Sequence, residues 1–231
     1  MPDVFPDPLA VRYARWVEVG DWLYRADDVV AFGVPLTVDT AREAYLKGIF
    51  PWHTDGIPLP WHCPEYRAVL IFDEMHVPRS LAKESRKSEF TFTFDREFAQ
   101  VMRECAATPR PGQKGTWITP RFEEVYNELH RQGMAHSVEA WDSEGRLAGG
   151  LYGIDAGGIF CGESMFYRRA NASKLALLHL IDHLCDHGST FLDAQVMTPH
   201  IEALGGQVVT RATFIAMLRD IQAQELVLFP K

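Results

Sequence analysis

Residues 135–166 read AHSVEAWDSEGRLAGGLYGIDAGGIFCGESMF, and this stretch decides the fold. It contains three runs with the composition of β-strands, at 135–142, 147–155 and 158–166. Short gaps at 143–145 and 156–157, rich in Gly and small polar residues, separate the runs. Connections this short join antiparallel neighbours, so the stretch predicts a three-stranded antiparallel meander.

Helices and further strands are predicted on both sides of the meander. Before it, strand patterns at 68–72 and 90–94 alternate with helix patterns at 80–87, 95–106 and 120–131. After it, Asn171 begins a helix over 172–187 that Gly188 ends, and a strand follows at 191–196. Helices grouped with a mostly antiparallel sheet make the fold class α+β.

The N-terminal third has a different composition. Residues 50–64 read FPWHTDGIPLPWHCP, and this density of proline excludes a helix and predicts an ordered, turn-rich segment. Before it, Thr37 to Thr40 can cap a helix that runs to Lys47 and stops at Gly48. We therefore expect a small N-terminal domain over residues 1–66 and a larger domain over residues 67–231.

Composition excludes several classes of protein. The 231 residues are 47% hydrophobic and 23% charged, which excludes general disorder. No apolar run approaches the roughly 20 residues that a membrane helix needs, and the acidic N-terminus does not suit a signal peptide. We expect a cytoplasmic protein with no membrane partner. The net charge is -8, so any contact with nucleic acid must come from a local basic patch.

Neither the cysteines nor the histidines indicate a metal site. The four cysteines contain no C-x-x-C pair, which favours buried free thiols. His179, His183 and His187 lie at i, i+4 spacing on the predicted helix, opposite an apolar stripe that includes Leu180 and Leu184. Because the H-E-x-x-H pattern is absent, we expect these histidines to face water, with no metal and no cofactor.

The loop between the meander and the next helix suggests one enzyme class. The layout resembles the central part of acetyltransferases of the GNAT superfamily, whose loop Q/R-x-x-G-x-G/A holds a pyrophosphate on backbone N–H groups. The matching residues here, 168–173, read RRANAS. Asn171 and Ser173 stand where glycines would, which disfavours acetyl-CoA. A CoA-dependent N-acetyltransferase remains the alternative, and a plain helix cap remains an alternative for Asn171 and Ser173.

Seven short strings in order along the chain resemble leucyl/phenylalanyl-tRNA protein transferases. The resemblance extends from about Leu36 to Phe214, and single strings would be weak evidence. The strings are GIFPW at 48–52, GTWIT at 115–119, HSVE at 136–139, GGLYG at 149–153, FCGESMF at 160–166, NASK at 171–174 and DAQV at 193–196.

The resemblance implies a GNAT-like C-terminal domain behind a small N-terminal domain. It implies an enzyme that moves Leu or Phe from charged tRNA onto proteins with N-terminal Arg or Lys, in the N-degron pathway, without acetyl-CoA or metal. The expected partners are therefore the acceptor end of aminoacyl-tRNA and proteins with a basic N-terminal residue. Two further alternatives remain, a transferase that prefers Asp or Glu acceptors and a non-catalytic binder of charged tRNA or basic N-termini.

Asp193 and Gln195 are the predicted catalytic residues. They lie at i and i+2 of a predicted strand, so their side chains should emerge on one face, and the resemblance assigns this pair to the acceptor amine. The aminoacyl ester is already activated and an α-amino group has a pKa of about 7.7 to 8, so positioning is the main requirement. A neutral amide holds no extra proton at pH 7, so Gln195 would aim the amine and Asp193 would orient Gln195. Water or the departing ribose hydroxyl is left as the proton acceptor.

Glu163 is the predicted acceptor-binding residue. It is an acid within an otherwise apolar strand, where an unpaired carboxylate is costly, so it should meet a cation. The resemblance assigns the matching acid to the acceptor side, which suits a basic N-terminal residue. An internal salt bridge with Arg or Lys is the alternative.

The remaining predicted site residues would hold the aminoacyl-tRNA. An apolar wall for the donor side chain is expected, with core packing as the alternative, from Leu151, Phe160, Leu177, Leu180 and Leu184. Trp52 and Trp117 resemble the aromatic residues that the family places around the terminal adenosine and the amino acid, and structural packing is the alternative for each. A patch for tRNA phosphates, with a solvated charged face as the alternative, is expected from Arg79, Lys83, Arg86 and Lys87.

Overall fold

The computed structural model describes residues 3–20, 22–109 and 115–230. In chain order the strands are β1 (Trp16–Val19), β2 (Trp22–Arg25), β3 (Val29–Phe32), β4 (Phe50–Pro51), β5 (Pro60–His62), β6 (Tyr66–Ile71), β7 (Thr91–Phe94), β8 (Ala135–Trp141), β9 (Leu147–Asp155), β10 (Phe160–Tyr167), β11 (Phe191–Gln195) and β12 (Gln207–Thr210). The α-helices are α1 (Val38–Leu46), α2 (Arg79–Lys87), α3 (Phe98–Ala107), α4 (Pro120–Arg131), α5 (Ala172–Asp186), α6 (Pro199–Ala203) and α7 (Arg211–Gln222).

A seven-stranded sheet forms the centre of the fold, in the order β12-β6-β11-β10-β9-β8-β7. The predicted meander β8-β9-β10 is confirmed, with both pairings antiparallel. Aspartates hold its turns: Asp142 Oδ1 accepts the N–H groups of residues 144 and 146, and Asp155 Oδ1 accepts those of residues 157 and 158. Among the described strands of this sheet, only β10 and β11 pair in parallel, because α5 carries the chain back across the sheet between them.

Helices cover both faces of this sheet. Neighbouring strand residues point to opposite faces, and accordingly Val69 and Phe191 belong to one buried cluster while Leu70 and Leu192 belong to another. Helices α1, α3, α4 and α7 contribute to the first cluster, and α5 and α6 contribute to the second. The α+β class, with a mostly antiparallel sheet flanked by helices and the GNAT-like order of meander, helix and parallel strand, is confirmed.

The N-terminal elements pack on the first face. A three-stranded sheet, in the order β3-β5-β4, precedes β6, and the predicted start of α1 is present as a capping box between Thr37 and Thr40. Gly48 follows α1 at φ 74°, and a Cβ there would lie 2.9 Å from the Phe214 ring, so only glycine fits. The division at residue 66 stays a prediction, and residues on both sides of it share one buried cluster.

The histidines of α5 do not simply face water, which corrects our expectation. His179 stacks on Phe92 and Phe94 of β7, and the His183 ring packs against Phe94 and Phe229. Burial accordingly lowers the pKa of both imidazoles. The helix pattern was correct, but the C-terminal residues and β7 cover the face that carries the histidines. Among the described residues, no helix has both the length and the apolar character needed to cross a membrane.

Candidate active site

The candidate site lies where β10 and β11 separate. The two strands pair at only two positions, Phe160 with Leu192 and Cys161 with Asp193. Immediately beyond these pairs each strand departs from regular register against its other neighbour, β10 at Glu163 and β11 at Ala194. A β-bulge leaves a residue outside the ladder and redirects the side chains around it. The two strand ends therefore diverge, and Glu163 and Gln195 lie where they separate.

Asp193 is buried in an ion pair with Arg67 of β6. The Arg67 guanidinium donates from Nε to Asp193 Oδ1 at 2.8 Å and from Nη2 to Oδ2 at 2.6 Å, and both side chains are almost completely buried. Asp193 Oδ1 also accepts the backbone N–H of Gln195 at 2.9 Å. Because of the bulge and a φ of 61° at Gln195, the pair does not have the regular i, i+2 geometry that we expected. The backbone hydrogen bond couples the two residues instead.

Glu163 meets Gln195 and the tyrosine of α1. Gln195 Nε2 donates to Glu163 Oε1 at 2.6 Å, and the Tyr45 hydroxyl donates to the same oxygen at 2.7 Å. Tyr126 of α4 in turn hydrogen-bonds the Tyr45 hydroxyl. Burial raises the pKa of Glu163 to about 7, although the hydrogen bonds from Tyr45 and Gln195 oppose that shift. Within the described residues Glu163 forms no salt bridge, so the structure does not support the alternative of an internal ion pair with Arg or Lys.

An apolar cavity of about 220 Å³ opens beside these polar groups. Three of the five predicted wall residues, Leu151, Phe160 and Leu177, line it together with Glu163 and Ala194. Leu180 and Leu184 are fully buried in the same cluster, but they are not among the described residues that border this cavity. They are core residues one and two turns further along α5.

The two tryptophans lie together in a second cavity. Trp52 and Trp117 face each other with ring centroids 5.7 Å apart and planes inclined by 31°. They border a volume of about 320 Å³ with His53, Asp55 and the backbone at Gly115. None of the described residues that line this second cavity lines the first, so the two indoles border a cavity separate from the donor cavity.

The basic helix α2 lies on the protein surface. Arg79, Lys83, Arg86 and Lys87 are all exposed, and the spacing of 4, 3 and 1 places them along one stripe of the helix. Leu81 is buried and attaches α2 to the second cluster. None of the four cations forms a salt bridge with a described residue, which leaves their charge available to a ligand.

Comparisons with known proteins show the family to which the chain belongs. Residues 69–219 match the family model described as leucyl/phenylalanyl-tRNA protein transferase, and residues 35–65 match the model of its N-terminal domain. The chain belongs to this transferase family. A relative from Chromohalobacter salexigens named leucyl/phenylalanyl-tRNA–protein transferase is 50% identical over 196 residues, which cover 85% of this chain and 76% of that protein. A relative of the same name from Pseudomonas fluorescens is 48% identical, over 80% of this chain and 81% of that protein.

Solved structures give a more distant comparison. A crystal structure of FemX aligns with a TM-score of 0.49 at 13% identity, covering 76% of this chain and 68% of that chain. A structure of L-PGS from Bacillus licheniformis aligns with a TM-score of 0.41 at 15% identity, covering 67% of this chain and 56% of that chain.

In this member of the family, sequence reasoning missed the residues that support the site from a distance. Arg67, Tyr45 and Tyr126 were not predicted to take part. One signal was available for Arg67, because it directly precedes the apolar run AVLIF at 68–72, and a cation in a buried strand needs an anionic partner. The described residues contain no group of three or more His, Cys, Asp or Glu that could hold a metal ion.

Proposed function

We propose that this protein transfers leucine or phenylalanine from aminoacyl-tRNA to the N-terminal amine of proteins that begin with Arg or Lys. The observation that carries the proposal is the meeting of Asp193, Gln195 and Glu163 beside an apolar cavity, in a chain that belongs to this transferase family. We extend the proposal to the N-degron pathway and to a cytoplasmic location, as expected from the sequence.

Gln195 would aim the acceptor amine at the ester carbonyl. Its amide NH₂ group is held by Glu163, which leaves the amide oxygen to accept a hydrogen bond from the amine. In the transfer the amine nitrogen forms a bond to the carbonyl carbon, and the bond from that carbon to the ribose oxygen breaks. The proton that the amine loses goes to water or to the departing ribose oxygen. Holding both substrates in this geometry supplies most of the rate.

Glu163 would bind the acceptor side. A carboxyl group with a pKa of about 7 is partly ionised at neutral pH, so it can attract the basic N-terminal residue. The Asp193 charge is already matched by Arg67, and Asp193 is therefore suited to orienting Gln195. Among the three polar residues, this leaves Glu163 as the group whose charge is available to the acceptor.

The donor side chain would occupy the 220 Å³ cavity, and the adenosine would lie in the second cavity against the tryptophans. Leu151, Phe160 and Leu177 offer apolar contact to leucine or phenylalanine, while Leu180 and Leu184 would support this wall from the core. Stacking of a base on an aromatic ring contributes about 1 to 3 kcal/mol. The exposed cations of α2 would bind phosphates near the acceptor end of the tRNA.

The acetyl-CoA alternative is disfavoured by the loop before α5. The N–H groups of Arg168 and Arg169 both donate to the Ala148 carbonyl oxygen, and that of Ala172 donates to Arg169. A pyrophosphate nest needs such N–H groups to point at the ligand. Asn171 makes no side-chain cap and lies in the left-handed region. Three N–H groups of this loop therefore bind carbonyl oxygens of the protein and do not point at a ligand.

A transfer assay with two substrate panels tests the proposal. The purified protein is incubated with tRNA charged with Leu, Phe, Val or Ala and with peptides that begin with Arg, Lys, Asp, Glu or Ala, and peptide masses are measured. We expect addition of Leu and Phe to the Arg and Lys peptides. Addition to Asp or Glu peptides alone would change the acceptor class. No addition to any peptide, combined with a rise in melting temperature with acetyl-CoA, would favour the acetyltransferase.

A further inference from the structure

Arg67 lies directly behind the candidate site and contacts residues from three parts of the chain. We propose that Arg67 is a positioning residue for the transfer, because it holds Asp193, and through Asp193 the Gln195 backbone, in the geometry in which the Gln195 side chain meets Glu163. This inference rests on the proposed function.

The contact between Arg67 and Asp193 fixes the orientation of the Asp193 carboxylate and also balances its charge. Two nitrogens of the guanidinium donate to the two oxygens of the carboxylate, at 2.8 and 2.6 Å. A two-pronged contact of this kind restricts rotation of the carboxylate, whereas a lysine would offer a single rotatable ammonium group. The planar guanidinium therefore determines where Asp193 Oδ1 points.

That oxygen supports an unfavourable backbone conformation. Asp193 Oδ1 accepts the Gln195 N–H at 2.9 Å, and Gln195 has a φ of 61°. A residue with a side chain rarely adopts this left-handed region unless its surroundings hold it there. If Asp193 turned, the Gln195 backbone would lose this restraint and its amide would lose its alignment with Glu163.

Two aromatic rings fix the guanidinium itself. The Arg67 Cζ lies 4.5 Å from the ring centroid of Phe50, in β4, and 4.5 Å from that of Phe214, in α7. Its third nitrogen, Nη1, is buried and has no hydrogen-bond partner among the described residues. The rings and Asp193 thus define its orientation without further hydrogen bonds.

A purely stabilising role does not account for this arrangement. A fully buried ion pair repays little of its desolvation cost, and apolar residues of similar volume often stabilise a fold equally well. Arg67 also leaves one polar nitrogen unsatisfied, which adds to the cost. The position of the pair, one hydrogen bond away from Gln195, is what a positioning role requires.

Kinetics of Arg67→Lys test the inference against a matched control. Arg211→Lys serves as the control because Arg211 also has a ring contact, to Tyr13, and donates to the carbonyl oxygens of Cys63 and Asp27. We expect Arg67→Lys to lower kcat about 10- to 100-fold, with KM for Leu-tRNA within about twofold of wild type. Arg211→Lys should lower Tm about as much as Arg67→Lys does but leave kcat unchanged. Equal kcat in Arg67→Lys and wild type, or an equal fall in the control, would overturn the inference.

Phe214→Leu provides a second variant that keeps both charges. It removes one of the two rings that contact the guanidinium, so we expect a several-fold lower kcat with KM unchanged. An unchanged kcat in this variant, if it folds, would show that the ring does not help to position Arg67. If wild type transfers no amino acid to any peptide, the proposed function has failed. If wild type transfers normally and both variants keep its kcat, only the positioning role has failed.

The pH profile adds a readout that a structural role would not move. Glu163 is surrounded by Tyr45 from α1, Tyr126 from α4, Asp193 and Gln195 from β11, Cys161 from β10 and Arg67 from β6. The Arg67 charge lowers the pKa of Glu163 and the Asp193 charge raises it. Arg67→Met removes the lowering charge, so the acid limb of kcat/KM for the Arg peptide should move to higher pH, whereas Arg67→Lys should keep it. An acid limb at the same pH in Arg67→Met and wild type would contradict the proposed role of Arg67.

Discussion

Glu163 is partly buried and borders the donor cavity. Its carboxyl group receives hydrogen bonds from Tyr45 and Gln195 and forms no salt bridge with any residue that the structure describes. Burial therefore dominates and raises the pKa to about 7. A residue in this state changes its charge near neutral pH, where both stability and acceptor binding should respond.

Stability should depend on pH through Glu163. Because the folded-state pKa is raised from 4.5 to about 7, this residue's contribution to stability is fully present below about pH 4.5 and is lost as the pH rises through about 7. The difference is about 3 kcal/mol. Glu163→Gln should remove this dependence, as measured by urea unfolding at pH 5 and pH 8. An equally large fall in stability between these pH values in Glu163→Gln would contradict the assignment.

The Gln195 backbone allows a test that separates stability from activity. Gln195→Ala and Gln195→Gly both remove the amide that meets Glu163, but only glycine adopts a φ of 61° without cost. We expect the free energy of unfolding to be about 1 kcal/mol higher for the glycine variant than for the alanine variant, which is the reverse of the usual order in strands. Denaturant unfolding of both variants measures this difference, and a more stable alanine variant would show that the backbone is not strained.

The sequence could identify the polar residues of the site but not the contacts between them. Asp193, Gln195 and Glu163 were recognised from short strings, and they do meet. Arg67 lies 126 residues from Asp193 and Tyr45 lies 118 residues from Glu163, and no local pattern indicates contacts at such separations. The bulge at Ala194 also has no local signal, so the regular i, i+2 geometry was the only one that the strand pattern could predict.

At the level of elements, periodicity located most helices and the strands β6 to β11 to within a few residues, but it did not locate the short strands β1 to β5 or the elements that follow β11. The meander was the most secure part because short polar turns separate its strands. Periodicity alone does not tell which core residues border a cavity. Leu177, Leu180 and Leu184 share the buried face of α5, but only Leu177 reaches the wall, because the cavity lies near the N-terminal half of the helix.

Leu177 and Leu180 form a matched pair for testing the donor cavity. Leu177→Ala and Leu180→Ala each remove a buried leucine side chain from one helix, so each should cost about 2 to 5 kcal/mol of stability. Only Leu177→Ala enlarges the donor cavity, and we expect it to change the ratio of Phe to Leu transfer by about 10-fold. Competition between Phe-tRNA and Leu-tRNA measures the ratio. An equal change in Leu180→Ala would mean that a general loss of core packing, and not the size of the donor cavity, changes the ratio.

Helix α2 should contribute to tRNA affinity through phosphate contacts. Lys83→Ala removes one exposed cation from its basic stripe, so the slope of log Kd against log salt should fall by about one. Arg103→Ala is the control, because Arg103 is exposed on α3, which packs on the other face of the sheet. Titration of Leu-tRNA at several salt concentrations measures both slopes. Identical slopes in the two variants would show that α2 does not bind the tRNA.

At the level of the whole molecule, residues from both ends of the chain complete the site. Tyr45 of α1 reaches Glu163, and Phe50 of β4 and Phe214 of α7 enclose Arg67. The N-terminal elements and the large sheet also share one buried cluster. The chain as a whole carries a charge of -8, so recognition of a polyanion depends on the placement of a few cations and not on the overall field.

The rate of a single transfer tests the central claim most directly. A preformed complex of the protein with Leu-tRNA is mixed with a peptide that begins with Arg, and leucine addition is followed for wild type and Gln195→Ala. We expect wild type to form the extended peptide, and Gln195→Ala to bind the same tRNA but transfer about 100-fold more slowly. Transfer at the wild-type rate by Gln195→Ala, or no product from wild type, would contradict the account.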